Sequence, residues 1–241
     1  MQFSSEQRLD DDMRERRFTV AGIPGILWTP YPSTPTPLVL LGHPGDLDSM
    51  YPRLLERARS CVSLGFAAAT IETPGAGVRP RSPAADQARK DLRRAMAAGD
   101  PLEDIVDRLV LPLVDTSVPE WQATLDALLS LPDIGGPVAW SGGVIGIGIR
   151  LARIEPRISA ALLFADTFVP KALVDEARQI SIPLLMLLQW DDAGNDRPAA
   201  LELFDAFGSA QKTLHANMGG HTGVPAFEGD DAARFFARHL T

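Results

Sequence analysis

The feature that most constrains this chain is an alternation: short apolar runs, almost free of charge, take turns with longer segments of helical periodicity. "TPLVLLGHPG", from Thr36, is one such run, ended by Gly-His-Pro-Gly. The segment after it, "YPRLLERARSCVSLG", carries Leu54, Leu55, Ala58, Cys61 and Val62 at helical spacing, with Gly65 placed as a C-cap. "FAAATIETPGAG" is a second apolar run with a glycine-rich end. Further on, residues 137 to 143 read as a strand and 144 to 154 as a helix. "ISAALLFAD" and "IPLLMLLQWDD" read as strands, "PAALELFDAFG" as a helix, "QKTLHAN" as a strand and "DDAARFFARHL" as a closing helix. Strands apolar on both faces belong in a parallel sheet covered on both sides. The order therefore predicts an α/β fold, a mostly parallel sheet wrapped by helices, with its site at the carboxyl ends of the strands.

Upstream, a polar leader precedes "RFTVAGIPGILWTP", which reads as two antiparallel edge strands around a Gly-Pro-Gly turn, with Phe18, Val20, Ile26 and Trp28 alternating. About sixty residues separate the strand ending near Thr73 from the one starting near Pro137, where a crossover needs roughly a dozen or so. A helical insertion at about 84–133 accounts for the excess. Three helices are predicted in it, from "SPAADQARKDLRRAMAAGD", "PLEDIVDRLVLPLV" and "VPEWQATLDALLSLPD", either as ordinary packing or as a lid over a small-molecule pocket.

At 241 residues the chain suffices for one domain, 1–241, carrying that insertion. Its formal charge of -8 leaves no basic stripe for nucleic acid. No stretch approaches the roughly 18 uncharged apolar residues of a membrane span. The single cysteine, Cys61, excludes an internal disulfide, and no Cys/His group has zinc-ligand spacing. "GVIGIG" is only a loose likeness to a dinucleotide fingerprint. These features predict a cytoplasmic protein with a small-molecule substrate, without cofactor, metal, nucleic acid or membrane as partner; a homodimer is left open.

Each strand end deposits polar residues at one rim. His43 and Gly45 follow the first buried run, and Ser141 ends the run at 137–143. Asp191 and Asp192 follow "LLQW", and His221 lies in "NMGGHTGVP". Trp140 and Trp190, also at strand ends, are candidates for stacking on a ligand or for the core. The order serine, acid, histidine matches a nucleophile activated by a histidine that an acid orients.

From about residue 18 to the end the chain resembles the α/β-hydrolase superfamily, in particular a bacterial group related to dienelactone hydrolases and small esterases. The likeness rests on "GILWTP", "PLVLLGHPG", "GFAAATIETPGAGVRPR", "VPEWQATLDAL" and, most specifically, "PLLMLLQWDD" and "LHANMGGHTGVPAFEGDDAARFFARHL". The resemblance implies that Asp192, with Asp191 as neighbour, orients His221. It also implies a nucleophile elbow of the form G-x-S-x-G. With Ser141 at the centre the chain offers Ala139-Trp140-Ser141-Gly142-Gly143. Other alignments put Gly142 or Val144 at the nucleophile position, and neither can attack a carbonyl. The oxyanion loop of the group is here His43-Pro44-Gly45-Asp46, where proline lacks an N–H.

Two activities follow. In the first, an ester or lactone hydrolase, Ser141 attacks, His221 is the base, Asp192 holds its tautomer, and the amides of Gly45 and Gly142 receive the oxyanion. In the alternative, a non-hydrolytic enzyme of the same fold, such as a cyclase, lyase or carbon–carbon bond-forming enzyme, His221 moves protons without a serine nucleophile. A ligand-binding scaffold without turnover is a third reading.

Overall fold

The computed structural model describes the whole chain except residues 10, 11, 33, 167 and 222. Nine strands form one sheet: β1 (Gln2–Leu9), β2 (Met13–Val20), β3 (Ile23–Pro30), β4 (Thr36–Gly42), β5 (Ala67–Ile71), β6 (Ile134–Gly142), β7 (Ile158–Phe164), β8 (Leu184–Gln189) and β9 (Lys212–Asn217). Their spatial order is β1-β2-β3-β5-β4-β6-β7-β8-β9. The first three strands, and the β3–β5 pair, run antiparallel; from β5 through β9 every pairing is parallel. This is the mostly parallel sheet the alternation predicted, with an antiparallel edge at its N-terminal end.

Helices α1 (Leu47–Ser63) and α7 (Phe227–Leu240) cover one face; α2 (Pro83–Ala98), α3 (Glu103–Leu129), α4 (Ile145–Ile154), α5 (Lys171–Ala177) and α6 (Arg197–Ala206) build the other. Parallel strands present alternate side chains to the two layers, so each strand feeds both cores. In β4, Leu38 and Leu40 join the α3–α4 core while Val39 and Leu41 join the α1–α7 core. On α1 the buried residues Leu47, Leu54, Ala58, Cys61 and Val62 recur at one-turn and two-turn intervals, the stripe a one-sided helix requires. Asp46 caps this helix, accepting the Ser49 N–H at 2.9 Å. Those bonds hold its carboxyl below the usual range, which explains an acid in the His43-Pro44-Gly45-Asp46 loop.

Four local expectations change. The leader is not outside the sheet: residues 2–9 form β1, polar because this edge strand is solvated, and residues 13–17 open β2, an inner strand in which Glu15 and Arg16 are buried as paired charges. The β2–β3 hairpin turns at Ala21 and Gly22, with φ of 50° and 81°, so of the expected turn only Gly22 turns the chain while Pro24 and Gly25 lie within β3. The second and third insertion helices are one, α3, 27 residues long and running through Pro112 and Pro119. Its stripe of Val106, Val110, Val114, Val118, Trp121, Leu125 and Leu128 is buried in the main core, so it serves as the crossover from β5 to β6. Finally α5, absent from the predicted order, links β7 to β8, as a parallel pair demands.

Buried charge ties the antiparallel edge to the rest. Glu15 in β2 accepts from Trp28 Nε1 and Tyr51 Oη, both at 2.7 Å, and Asp133 receives Arg14 at 3.0 Å and Arg16 in a shorter contact.

Candidate active site

Strands β8 and β9 are parallel neighbours, with Gln189 opposite Asn217, so the turns that leave them must meet. The Trp190 N–H donates to the Asn217 carbonyl at 2.6 Å, extending the ladder by one step. Asp191 and Asp192 follow on one side and the segment 218–221 on the other. Gly219 and Gly220 have φ of 135° and 64°, conformations that disfavour side chains, and a Cβ on Gly219 would sit 2.3 Å from the Gly223 carbonyl oxygen. With the backbone so turned, the N–H groups of both glycines point at Asp191 Oδ1, each at 2.9 Å. These bonds depress the Asp191 carboxyl.

Held by that clamp, His221 places Nδ1 2.8 Å from Asp192 Oδ2. The hydrogen bond to His221 is the main reason the Asp192 carboxyl lies below its usual range; its other oxygen accepts the Gly194 N–H at 2.9 Å. An ionised carboxylate only accepts, so Nδ1 carries the hydrogen and Nε2 of a neutral ring is left as a lone-pair base. The His221 side chain is 84% exposed, so Nε2 faces solvent. The two adjacent aspartates thus divide the work, Asp191 fixing the loop and Asp192 the ring.

Ser141 is elsewhere. It belongs to β6, paired with Leu41 and Leu162, and is only 5% exposed. Its hydroxyl accepts from Arg57 Nη2 at 3.0 Å and makes no hydrogen bond with His221 among the described residues. The left-handed turn that ends the strand falls on Gly142 and Gly143, with φ of 69° and 75°, and Val144 is the N-cap of α4. In a strand-turn-helix elbow the residue with positive φ is the one lifted above the sheet, and here it is a glycine. A Cβ on Gly142 would stand 2.9 Å from Arg57 Nη2, so a guanidinium occupies the space a nucleophilic side chain would enter.

The remaining rim residues are largely structural. His43 is buried, its Nε2 2.9 Å from the Ile71 carbonyl, and burial lowers its pKa, which keeps the ring neutral. Gly45 keeps an N–H with no acceptor among the described residues. Trp140 is fully buried and meets Trp121 edge-on, with centroids 5.0 Å apart at 85°, so it is core and not a stacking platform. Trp190 is exposed and stacks under Arg197, 4.4 Å from its ring centroid.

Two features escaped the sequence reading. Glu72, at the end of β5, is buried with its carboxyl pushed up by burial, and it accepts the Leu47 N–H at 3.0 Å. The only hint was an acid closing an apolar run. His215, read as packing, is paired with Glu228 at 2.9 Å; with Asp231 they form the described group whose ligating atoms, within 4.8 Å, suit a metal by proximity. Glu228 also accepts from Asn217 Nδ2 at 2.7 Å, so both its oxygens are already engaged and the group closes as a hydrogen-bonded network. Among the described residues no helix is long and apolar enough to cross a membrane.

No protein-family model and no curated relative matches the chain. Solved structures do. A cold-adapted esterase from an Arctic intertidal metagenomic library, in a polyethylene-glycol-bound form, superimposes with a TM-score of 0.77 at 27% identity over 100% of both chains. An esterase of Pyrococcus furiosus gives 0.65 at 10% identity over 95% of this chain and 91% of that one. Acetyl xylan esterase 1 from Thermoanaerobacterium sp. JW/SL YS485 gives 0.64 at 15% identity over 98% and 87%. The two more distant likenesses speak for the fold alone, and the first spans the whole sequence. The chain has the α/β-hydrolase fold and is similar over its full length to a solved esterase.

Proposed function

We propose that this protein hydrolyses an ester of a small organic molecule, with His221 as general base, Asp192 as the carboxylate that fixes its tautomer, and water as the attacking group. The observation that carries the reading is the 2.8 Å contact between His221 Nδ1 and Asp192 Oδ2 at the carboxyl edge of the sheet, with Nε2 open to solvent. The esterase likeness over the full chain favours hydrolysis over the proton-shuttling alternative.

The steps balance without a covalent enzyme intermediate. Nε2 takes a proton from water as the oxygen adds to the ester carbonyl; the tetrahedral adduct expels the alcohol oxygen, which recovers the proton from the imidazolium. The ionised Asp192 stabilises that imidazolium while it lasts. Gly45, with its uncommitted N–H, is the donor assigned to the oxyanion. Water is favoured over Ser141 because the serine hydroxyl lies within the strand and is held by Arg57. A cytoplasmic setting is supported by the lone, buried thiol of Cys61. A lactone as substrate would follow the same course, with both products in one molecule.

The test is hydrolysis of p-nitrophenyl acetate and butyrate by the wild type and by His221→Ala, Asp192→Asn and Ser141→Ala, together with a fluorophosphonate probe. The expected result is a loss of at least about a hundredfold in the histidine variant, little change in the serine variant, and no probe adduct. A probe adduct on Ser141 with loss of turnover in Ser141→Ala would replace water by the serine. Unchanged rates in His221→Ala would remove the assignment altogether.

A further inference from the structure

We infer that the cavity between α1, α7 and the carboxyl ends of β6 to β8 is a binding site for a monocarboxylate with an apolar body, whose carboxylate sits on Arg57. The cavity has a volume of about 280 Å³, near the lower end of small-molecule sites. Its wall is mostly carbon, from Leu162, Phe164, Leu187, Val224 and Phe236. Among the polar groups that break that surface, Arg57 is the one tied into the sheet end. Arg57 donates from Nη1 to the Gly42 carbonyl at 2.9 Å, and from Nη2 to the Ser141 carbonyl at 2.5 Å and the Ser141 hydroxyl at 3.0 Å. All three acceptors are neutral, and no carboxylate lies within ion-pair distance of Arg57 among the described residues.

A guanidinium in such surroundings is costly until an anion joins it. Burial pulls its pKa down to about 10, so it still carries its charge at neutral pH. The acids that line the cavity do not neutralise it. Glu228 is committed to His215 and Asn217, and Glu56 is exposed on α1. One turn before Arg57, the exposed Arg53 also lines the cavity and is offset there by the exposed Glu56, so the charge the cavity leaves uncompensated is that of Arg57. Three of the five guanidinium N–H groups are used by the protein, leaving Nε–H and one Nη1–H for a ligand. The two free donors diverge, since each parallel N–H pair of a guanidinium needs Nη2, so a carboxylate meets one N–H together with the full charge, and the apolar wall suits a hydrocarbon chain or ring behind it. A phosphate dianion would bring more charge and more acceptors than this wall can satisfy.

Neither His221 nor Asp192 lines the cavity, so binding is measured in His221→Ala as well as in the wild type. Isothermal titration with hexanoate, 1-hexanol and inorganic phosphate separates charge from shape. Hexanoate is expected to bind at least about tenfold more tightly than 1-hexanol, phosphate not at all, and His221→Ala is expected to behave as the wild type does. In Arg57→Gln the acid should lose its advantage over the alcohol. In Ala233→Trp, which fills the cavity from α7, both should stop binding. Equal affinity for acid and alcohol in the wild type overturns the inference without any variant. So does the absence of hexanoate binding at millimolar concentration, or an acid preference that survives Arg57→Gln.

Discussion

Asp191 holds Gly220: one carboxylate oxygen receives the Gly220 N–H at 2.9 Å and the Gly219 N–H at the same distance, just before the loop delivers His221 to Asp192. Asp191 touches neither the imidazole nor any reacting atom, so its role is positioning. Asp191→Ala should lower kcat/KM for ester hydrolysis roughly ten- to a hundredfold, as displacements of about an ångström do, with little change in thermal midpoint because the side chain is exposed. Asp191→Asn keeps a carbonyl acceptor and should recover part of the loss. Wild-type rates in Asp191→Ala would show that His221 needs no such clamp.

Gly142 provides a direct test of the elbow. Its φ of 69° costs a residue with a side chain about 1–2 kcal/mol, and its Cβ would press on Arg57 Nη2, the far end of a flexible side chain that can withdraw. Gly142→Ser should therefore fold with a thermal midpoint lowered by several degrees. It should also gain fluorophosphonate labelling that disappears when His221→Ala is added. An unlabelled Gly142→Ser variant with intact esterase activity would show that this position does not stand where a nucleophile must.

The parallel part of the sheet was legible because strands covered on both faces must be written in apolar residues, as "PLVLL" and "PLLMLL" are. The edge was not: β1 exposes both faces along most of its length, and its polar letters are those of a loop. In α3 two helices were expected, parted between Val114 and Pro119, yet the valine stripe at positions 106, 110, 114 and 118 continues across that boundary, and packing on the core outweighed the hydrogen bonds lost at Pro119. Asp192 and His221 were paired beforehand through the resemblance carried by "LLQWDD" and "NMGGH", and the parallel β8–β9 pair is what brings their turns together. Ser141 could not be placed, since glycines on both sides of a turn allow several registers, and only the observed φ of Gly142 fixes one. Arg57 carried no signal, because a helical arginine among other arginines reads as solvated surface.

Glu155 supplies a pH dependence of stability. It is buried, and it accepts from Arg157 Nε at 2.6 Å, Arg157 Nη2 at 2.8 Å and the Arg157 N–H at 3.1 Å, with Gln122 at 3.2 Å. These bonds, those from the Arg157 side chain foremost, push its carboxyl down to about 2 from the ordinary 4.5. A carboxyl depressed in the folded state contributes stability above its unfolded value and loses it as the pH falls toward the folded one. Glu155→Gln should thus lower the thermal midpoint at pH 7, and the gap to the wild type should shrink between pH 4.5 and pH 2. Circular dichroism melts across that range measure it, and a gap that stays constant would mean the ion pair does not stabilise the fold.

Gly148 and Gly229 predict opposite outcomes for one substitution. Both lie in helices, where alanine is favoured over glycine by about 1 kcal/mol. On α4 a Cβ at Gly148 would stand 2.5 Å from Trp140 Nε1 and 2.7 Å from Leu163 Cδ2. Trp140 cannot retreat, since it is fully buried and wedged against the edge of Trp121. Overpacking of this kind costs about 1–3 kcal/mol, which outweighs the helical gain, so Gly148→Ala should destabilise the protein. On α7 a Cβ at Gly229 would meet nothing within 4 Å, and Gly229→Ala should stabilise it by about 0.5–1 kcal/mol. Urea denaturation of the two variants reads both signs. If Gly148→Ala proved as stable as the wild type, Trp140 would have to be mobile in its pocket, and the packing of α4 on β6 looser than the contact with Trp121 implies.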